Sequence, residues 1–241
     1  MTHAALRLTD GQTRVVGSIG CAADLGAANP TRTRESCDIV EIRLDLLLAA
    51  TGGADPAGWQ HLLDSPLLFT ARRHEEGGAG ALSAAARIGL LERVLNQAAA
   101  IDIEVASRVE MGALLQQMRA RGIPWVASFH DFECLPATAV LADAAQRARD
   151  AGASVFKAAA RLHQAADLAR LAEFQLADHG LPVATMGMGP LAPVSRLLCA
   201  QHGSVLNYGC LGTTPTAPGQ WDAGFLKQAL ARLVPLGSGA I

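Results

Sequence analysis

Lys157 is the only charged residue in the apolar run Ala-Ser-Val-Phe-Lys-Ala-Ala-Ala (153–160), and His130 ends another apolar run 27 residues upstream, in Ser128-Phe129-His130-Asp131. A lysine inside a buried strand is costly as an ammonium ion, so its pKa falls toward that of a nucleophilic amine. A histidine ending the preceding strand can move protons near neutral pH. Brought face to face, the two suit carbonyl chemistry through a Schiff base, with one histidine as acid and base. Taken singly, each has a plainer reading: a lysine whose ammonium reaches back to water, and a strand-end histidine followed by a helix-capping aspartate. Their occurrence on successive strands favours the chemical reading.

Other polar residues interrupt apolar sequence in the same manner. Glu41, Arg43 and Asp45 alternate, which predicts one strand carrying all three on one face. They serve either as a salt-bridge layer plugging a barrel or, through the members left free, as hydroxyl-binding groups. Asp102 and Glu104 repeat the spacing and read first as barrel-layer partners and second as catalysts. Phe69-Thr70-Ala71-Arg72 runs into Arg73-His74-Glu75-Glu76-Gly77-Gly78, a charged loop with glycine hinges that either closes over a ligand or is a solvated turn. Ser195-Arg196 is expected to open a helix, where a guanidinium makes a carboxylate site or else lies at the surface. Met186 and Met188 read as packing against a substrate ring. Thr216-Ala217-Pro218-Gly219-Gln220 reads as a second closing loop, on proline and glycine alone.

The elements that position these groups follow from periodicity. Short β-like runs near 15–19, 38–44, 67–72, 101–105, 125–129, 154–158, 183–187 and 205–209 alternate with helical stretches such as Ile88, Leu91, Val94, Leu95 and Ala165, Leu168, Leu171, Phe174. One joint occurs twice, Gly122-Ile-Pro-Trp-Val-Ala and Gly180-Leu-Pro-Val-Ala, 58 residues apart: a glycine ends a helix and a proline precedes a strand. Eight βα units in one domain, 1–241, close most simply as an α/β single (β/α)8 barrel, with an open doubly wound sheet as the alternative. In such a barrel polar residues at strand C-termini gather at one mouth.

Composition narrows the rest. With half of its 241 residues hydrophobic, the chain can bury a sizeable core. Twenty basic against 22 acidic residues, net −2, give no electrostatic footprint for nucleic acid or an anionic membrane. The five cysteines have no C-x-x-C spacing and read as reduced cytosolic thiols, mostly in the core, rather than a zinc site or disulfide framework. The start, Met1-Thr-His-Ala-Ala-Leu, carries no secretory pattern, and no run approaches the about eighteen apolar residues of a membrane span, so a cytoplasmic protein is expected. The tail after Leu236 is expected to fray. Gly209-Cys-Leu-Gly212 lacks the basic partner of a phosphate loop.

Together, Glu41-Ile-Arg43-Leu-Asp45, Phe69-Thr-Ala-Arg72 with Glu76-Gly77-Gly78, Asp102-Ile-Glu104, Ser128-Phe-His130-Asp131-Phe132, Lys157, Ser195-Arg196 and Ala217-Pro218-Gly219-Gln220 resemble, in order from about Val15 to Gln220, the type I 3-dehydroquinate dehydratases. The resemblance implies a (β/α)8 barrel, a homodimer, no metal and no organic cofactor. It implies 3-dehydroquinate as substrate and syn elimination of water to 3-dehydroshikimate, in the shikimate or quinate pathway. Lys157 matches the imine-forming lysine, His130 the general acid/base and Glu76 the carboxylate that holds it. Glu41 and Arg72 match hydroxyl-binding groups, with Arg43 supporting them. Arg196 matches the carboxylate-binding arginine, with Gln220 and the backbone at Thr216 and Ala217 closing the site. Ser18 is similar to a pocket-lining position. The chain departs from the family pattern at Phe129, at Ala192 in place of a common glycine, at Thr216 in place of a serine, and in the stiffening prolines Pro190 and Pro193. None removes a catalytic group. Rival readings are a Schiff-base lyase or aldolase acting on another polyhydroxylated keto acid, and a non-catalytic metabolite-binding barrel, which would be expected to lack Lys157 or His130.

Overall fold

A computed structural model of the chain describes residues 6–52 and 57–234. Eight strands form one parallel sheet: β1 (Arg14–Ile19), β2 (Ile39–Arg43), β3 (Leu67–Thr70), β4 (Ala100–Glu104), β5 (Trp125–Asp131), β6 (Val155–Arg161), β7 (Val183–Met188) and β8 (Leu206–Cys210). Consecutive strands pair in parallel from β1 to β7, and β8 returns to pair with β1. At the remaining seam, between β7 and β8, the backbone N–H of Val205 donates to the carbonyl of Val183 at 3.2 Å. The sheet is therefore a nearly closed (β/α)8 barrel and not an open doubly wound sheet. All eight expected strands are present, with ends displaced by up to three residues.

Helices cover the outside: α1 (Ala22–Ala27), α2 (Pro30–Ser36), α3 (Leu44–Ala50), α4 (Ala84–Val94), α5 (Gly112–Ala120), α6 (Thr138–Asp150), α7 (Ala165–Leu176), α8 (Ala192–Gln201) and α9 (Ala223–Leu230). The predicted faces turn inward, with Leu91, Val94, Leu171 and Phe174 in the layer between helices and barrel. That layer is the larger apolar cluster. A second cluster fills the barrel itself, with Val16, Ile39, Leu68, Ala100, Val126 and Val155 contributed by successive strands and Leu8 packed beneath them. Because side chains alternate along a strand, the residue two places on from each faces the same interior. Those next positions are Ser18, Glu41, Thr70, Asp102, Ser128 and Lys157, a polar layer stacked on an apolar floor.

Three sequence expectations need correction. Asp45 is not on a strand: β2 ends at Arg43, and Asp45 sits in the first turn of α3. It still meets Arg43, which donates to it from Nε (3.0 Å) and Nη2 (2.8 Å) across the strand-to-helix turn. Ser195-Arg196 does not open its helix, because α8 begins at Ala192 with Pro193 in its first turn, where proline costs no hydrogen bond. Asp131 does not cap α6, whose N-cap is Ala137. Its carboxylate instead accepts from the backbone of Glu133 and Cys134, both at 2.9 Å, and shapes the turn after β5. The residues after Leu236 and the first five lie outside the described residues.

Candidate functional site

Lys157 lies within β6, directly opposite Ser128 of β5 in the sheet register. His130, two residues further along β5, shares the interior face one step nearer the mouth. Both line one pocket at the C-terminal ends of the strands, together with Ser18, Glu41, Arg43, Arg72 and Glu76. Arg196, Thr216, Ala217 and Gln220 close the same pocket from α8 and from the connection after β8. The residues matched to catalytic and substrate-binding positions all line this one cavity, whereas Asp45, Asp102 and Glu104 are not among its lining residues.

Lys157 is 4% exposed. Its Nζ donates to Asp102 Oδ2 at 2.9 Å and lies 4.1 Å from the ring centroid of Tyr208. Burial holds the amine below its ordinary value of 10.5, the Arg72 guanidinium adds to this, and the Asp102 carboxylate opposes it. Burial also works against an ionised Asp102, but Arg72 and Lys157 outweigh it and keep that group well below the usual carboxylate range. Asp102 is thus a permanent anion, and the lysine beside it is a cation that gives up its proton more readily than a surface lysine.

Arg72 is the other hub. Its Nη1 lies 2.9 Å from Asp102 and 3.1 Å from Glu104, and it donates to Ser128 Oγ at 2.5 Å. Arg87 from α4 binds the second oxygen of Glu104. Asp102 and Glu104 are thus barrel-layer partners, as their spacing suggested, and Asp102 in addition touches the lysine. Glu41 is held differently: it accepts from Ser18 Oγ at 2.5 Å and Thr70 Oγ1 at 2.7 Å, with no ion-pair partner among the described residues. A carboxylate gripped only by neutral hydroxyls keeps lone pairs for a ligand hydroxyl.

His130 is fixed by Glu76. A single oxygen, Oε2, accepts from the His130 backbone N–H at 2.9 Å and faces Nδ1 at 3.0 Å. An oxygen already accepting from the backbone best accepts from the ring too, which puts the proton on Nδ1 and leaves Nε2 with a free lone pair. Burial depresses the imidazole well below its ordinary 6.5, and the cations of Arg72 and Lys157 push the same way. His130 is accordingly neutral, the form of a base. Burial raises the Glu76 carboxyl to about 7, against the pull of Arg72. The loop that presents Glu76 forms a 3-10 turn, His74–Glu76, ending at Gly77 in the left-handed region at φ 84°. A Cβ there would run into the Phe132 ring, so glycine is needed on both counts.

Arg196 is 1% exposed. It donates from Nε to the Tyr208 carbonyl (3.0 Å) and from Nη1 to the Gly187 carbonyl (3.1 Å), and has no acidic partner among the described residues. Burial lowers its pKa to about 10. A buried cation satisfied only by carbonyls is energetically incomplete, and a ligand carboxylate would complete it. Gln220 Oε1 accepts from Thr216 N (2.9 Å) and Oγ1 (3.1 Å), which leaves its NH2 group to donate. Thr216 therefore uses the hydroxyl it shares with serine. Phe129 packs into the outer core and does not line the pocket, so that departure stays away from the site.

The sequence reading missed two contacts. Asp102 as the lysine's partner depends on two strand registers, although its period-two spacing with Glu104 was visible. Tyr208, the single tyrosine of the chain, sits two places beyond Leu206 on the inner face of β8, and its uniqueness was the one signal that pointed to it. Met186 and Met188 line the pocket. Among the described residues no group of three or more His, Cys, Asp or Glu side chains is arranged to hold a metal ion.

Fold and placement define the class: a (β/α)8-barrel enzyme with a buried amine and a carboxylate-held histidine at its mouth. The type I 3-dehydroquinase family model matches residues 23–234. The 3-dehydroquinate dehydratase of Desulfotalea psychrophila is 34% identical over 202 residues, covering 81% of this chain and 87% of that protein. That of Haloquadratum walsbyi is 32% identical over 223 residues, covering 88% and 91%. The solved structure of 3-dehydroquinate dehydratase from Enterococcus faecalis superposes with a TM-score of 0.77 at 26% identity, covering 94% of this chain and 96% of that one. The chain belongs to the type I 3-dehydroquinase family.

Proposed function

We propose that this chain, as one catalytic domain, converts 3-dehydroquinate to 3-dehydroshikimate, with Lys157, His130 and Glu76 as its catalytic residues. The observation that carries the assignment of roles is the shared pocket: a buried amine 2.9 Å from a permanent anion, beneath a neutral histidine held through Nδ1.

Lys157 as the free amine attacks the C3 ketone, and loss of water gives the iminium ion. The positive nitrogen acidifies the C2 proton, which His130 Nε2 removes to give an enamine. The enamine expels the C1 hydroxyl, which leaves as water by taking the proton back from His130. Water then hydrolyses the imine, releasing product and restoring the amine. Asp102 stabilises the cationic states of Lys157, both ammonium and iminium. Glu76 keeps Nδ1–H fixed, so that the reactive nitrogen is always Nε2. Glu41 and Arg72 bind ring hydroxyls, Arg43 supports them through Asp45, and Arg196 takes the carboxylate. Gln220, Thr216 and Ala217 close the last side, and Ser18 acts by holding Glu41.

The reaction class is that of a hydro-lyase of the shikimate pathway and aromatic biosynthesis. Cytoplasmic location is supported by five cysteines of which none is paired. The homodimer rests on the family resemblance, and light scattering on the eluted protein tests it. No helix among the described residues is long and apolar enough to cross a membrane. The function is tested by adding 3-dehydroquinate and following the ultraviolet absorbance of the conjugated enone product. Folded protein that forms none would overturn the reading.

A further inference from the structure

Asp24, in the first turn of α1, is buried at 7% exposure and has no ion-pair partner among the described residues. Most of its donors come from a segment 189 to 190 residues away. Oδ1 accepts from Thr213 N (2.9 Å) and Thr213 Oγ1 (3.0 Å), and Oδ2 accepts from Thr214 N (3.0 Å) and Cys21 Sγ (3.2 Å). These donors hold the group ionised, at about 2, against its own burial. Gly212, just before them, adopts φ 116°, and a Cβ built there would run into the Asp24 carboxyl group. The approach is therefore as close as backbone allows.

The segment so gripped is the connection from β8 that carries Thr216, Ala217 and Gln220 over the pocket. Gly212 to Pro215 are exposed, and the buried groups they touch include Asp24 and the Cys210 thiol, which donates to the Gly212 carbonyl at 3.6 Å. Further along, the Thr216 methyl would lie 2.9 Å from a Cβ at Gly20, and Gly189 N donates to the Pro218 carbonyl at 3.4 Å. The connection is a strap crossing the mouth. It is tied to the end of β1 at one side and to the β7–α8 turn at the other.

We propose that Asp24 is a positioning residue for substrate binding: it latches the strap to the barrel so that Thr216 and Gln220 stand preformed at the pocket. The inference rests on the function proposed above. The latch touches neither substrate nor the reacting atoms, so its loss lowers the fraction of enzyme with the strap docked and leaves the imine chemistry intact. If that fraction falls to about a tenth, KM rises about tenfold.

The test is steady-state kinetics on Asp24→Ala, Gly212→Ala and the double variant, with borohydride trapping of the Lys157 imine at saturating substrate. Each single variant is expected to raise KM about tenfold while kcat and the trapped imine stay within about twofold of wild type. The double variant should be no worse than either single one, because both open the same contact. Gly212 lies on the exposed strap, so Gly212→Ala carries the test alone if Asp24→Ala fails to fold. Imine in all variants with KM unchanged, or two KM effects that multiply, would overturn the latch alone. Absence of imine in the wild-type protein would overturn the reading of the site on which it rests.

Discussion

Replacing Glu76 by glutamine should make the protein more stable at alkaline pH, even though it impairs the site. Burial lifts this carboxyl from 4.5 to about 7 in the folded protein. Between those values the folded state binds more protons than the unfolded chain, so stability falls as pH rises through that window. The penalty is absent below 4.5 and complete above 7. At about 1.36 kcal/mol per pKa unit it reaches about 3.4 kcal/mol. Glutamine keeps an oxygen to accept from the His130 backbone and ring but carries no charge to bury. Urea midpoints for both proteins between pH 4.5 and 8.5 measure the effect. The variant's advantage should grow with pH, gaining up to about 3 kcal/mol relative to its value at pH 4.5. An advantage that is flat in pH would refute the argument. One that shrinks as pH rises would mean that Glu76 is a carboxylate stabilised by a charged His130, and not a buried acid beside a neutral one.

Three further outcomes follow from the same geometry. His130→Ala should still give a trapped imine on Lys157 while turnover falls by about 10² to 10⁴, the usual worth of a general acid/base; turnover close to wild type would remove His130 from the chemistry. Asp102→Asn removes the carboxylate touching Nζ, so the Lys157 amine, which burial already holds below 10.5, should lose its proton at a lower pH still; the pH at which borohydride trapping is half-maximal should move down, and a move upward would contradict the pairing. Arg196→Met should raise KM by about 10- to 100-fold, the loss expected for one charge-assisted contact with a carboxylate, and an unchanged KM would assign that contact elsewhere.

Much of this site was legible in the sequence because a barrel interior repeats with period two. Charged residues that interrupt apolar sequence, such as Glu41, Arg72 and Lys157, announce themselves there, and the fold sends them to one mouth, with Asp102 beneath them in contact with Lys157. The same rule misled at Asp45. Its spacing continues the strand pattern, but the chain has already turned into α3, and the pairing with Arg43 survives only because the turn folds back. Arg196 was displaced for a related reason: α8 starts four residues before it, at a proline tolerated in the first turn. Contacts set by register or long-range closure carry no local signal. Asp102 against Lys157 needs the pairing of β4 with β5 and of β5 with β6, and Asp24 against Thr213 needs the barrel to close between β8 and β1.

The central claim is that Lys157 forms the imine. It is tested most directly by mass spectrometry of the protein after incubation with 3-dehydroquinate and borohydride, with peptide mapping of the modified residue. A reduced adduct on Lys157 that is absent from Lys157→Met is the predicted result. Folded, active protein that carries no adduct, or carries it on another lysine, would contradict the account.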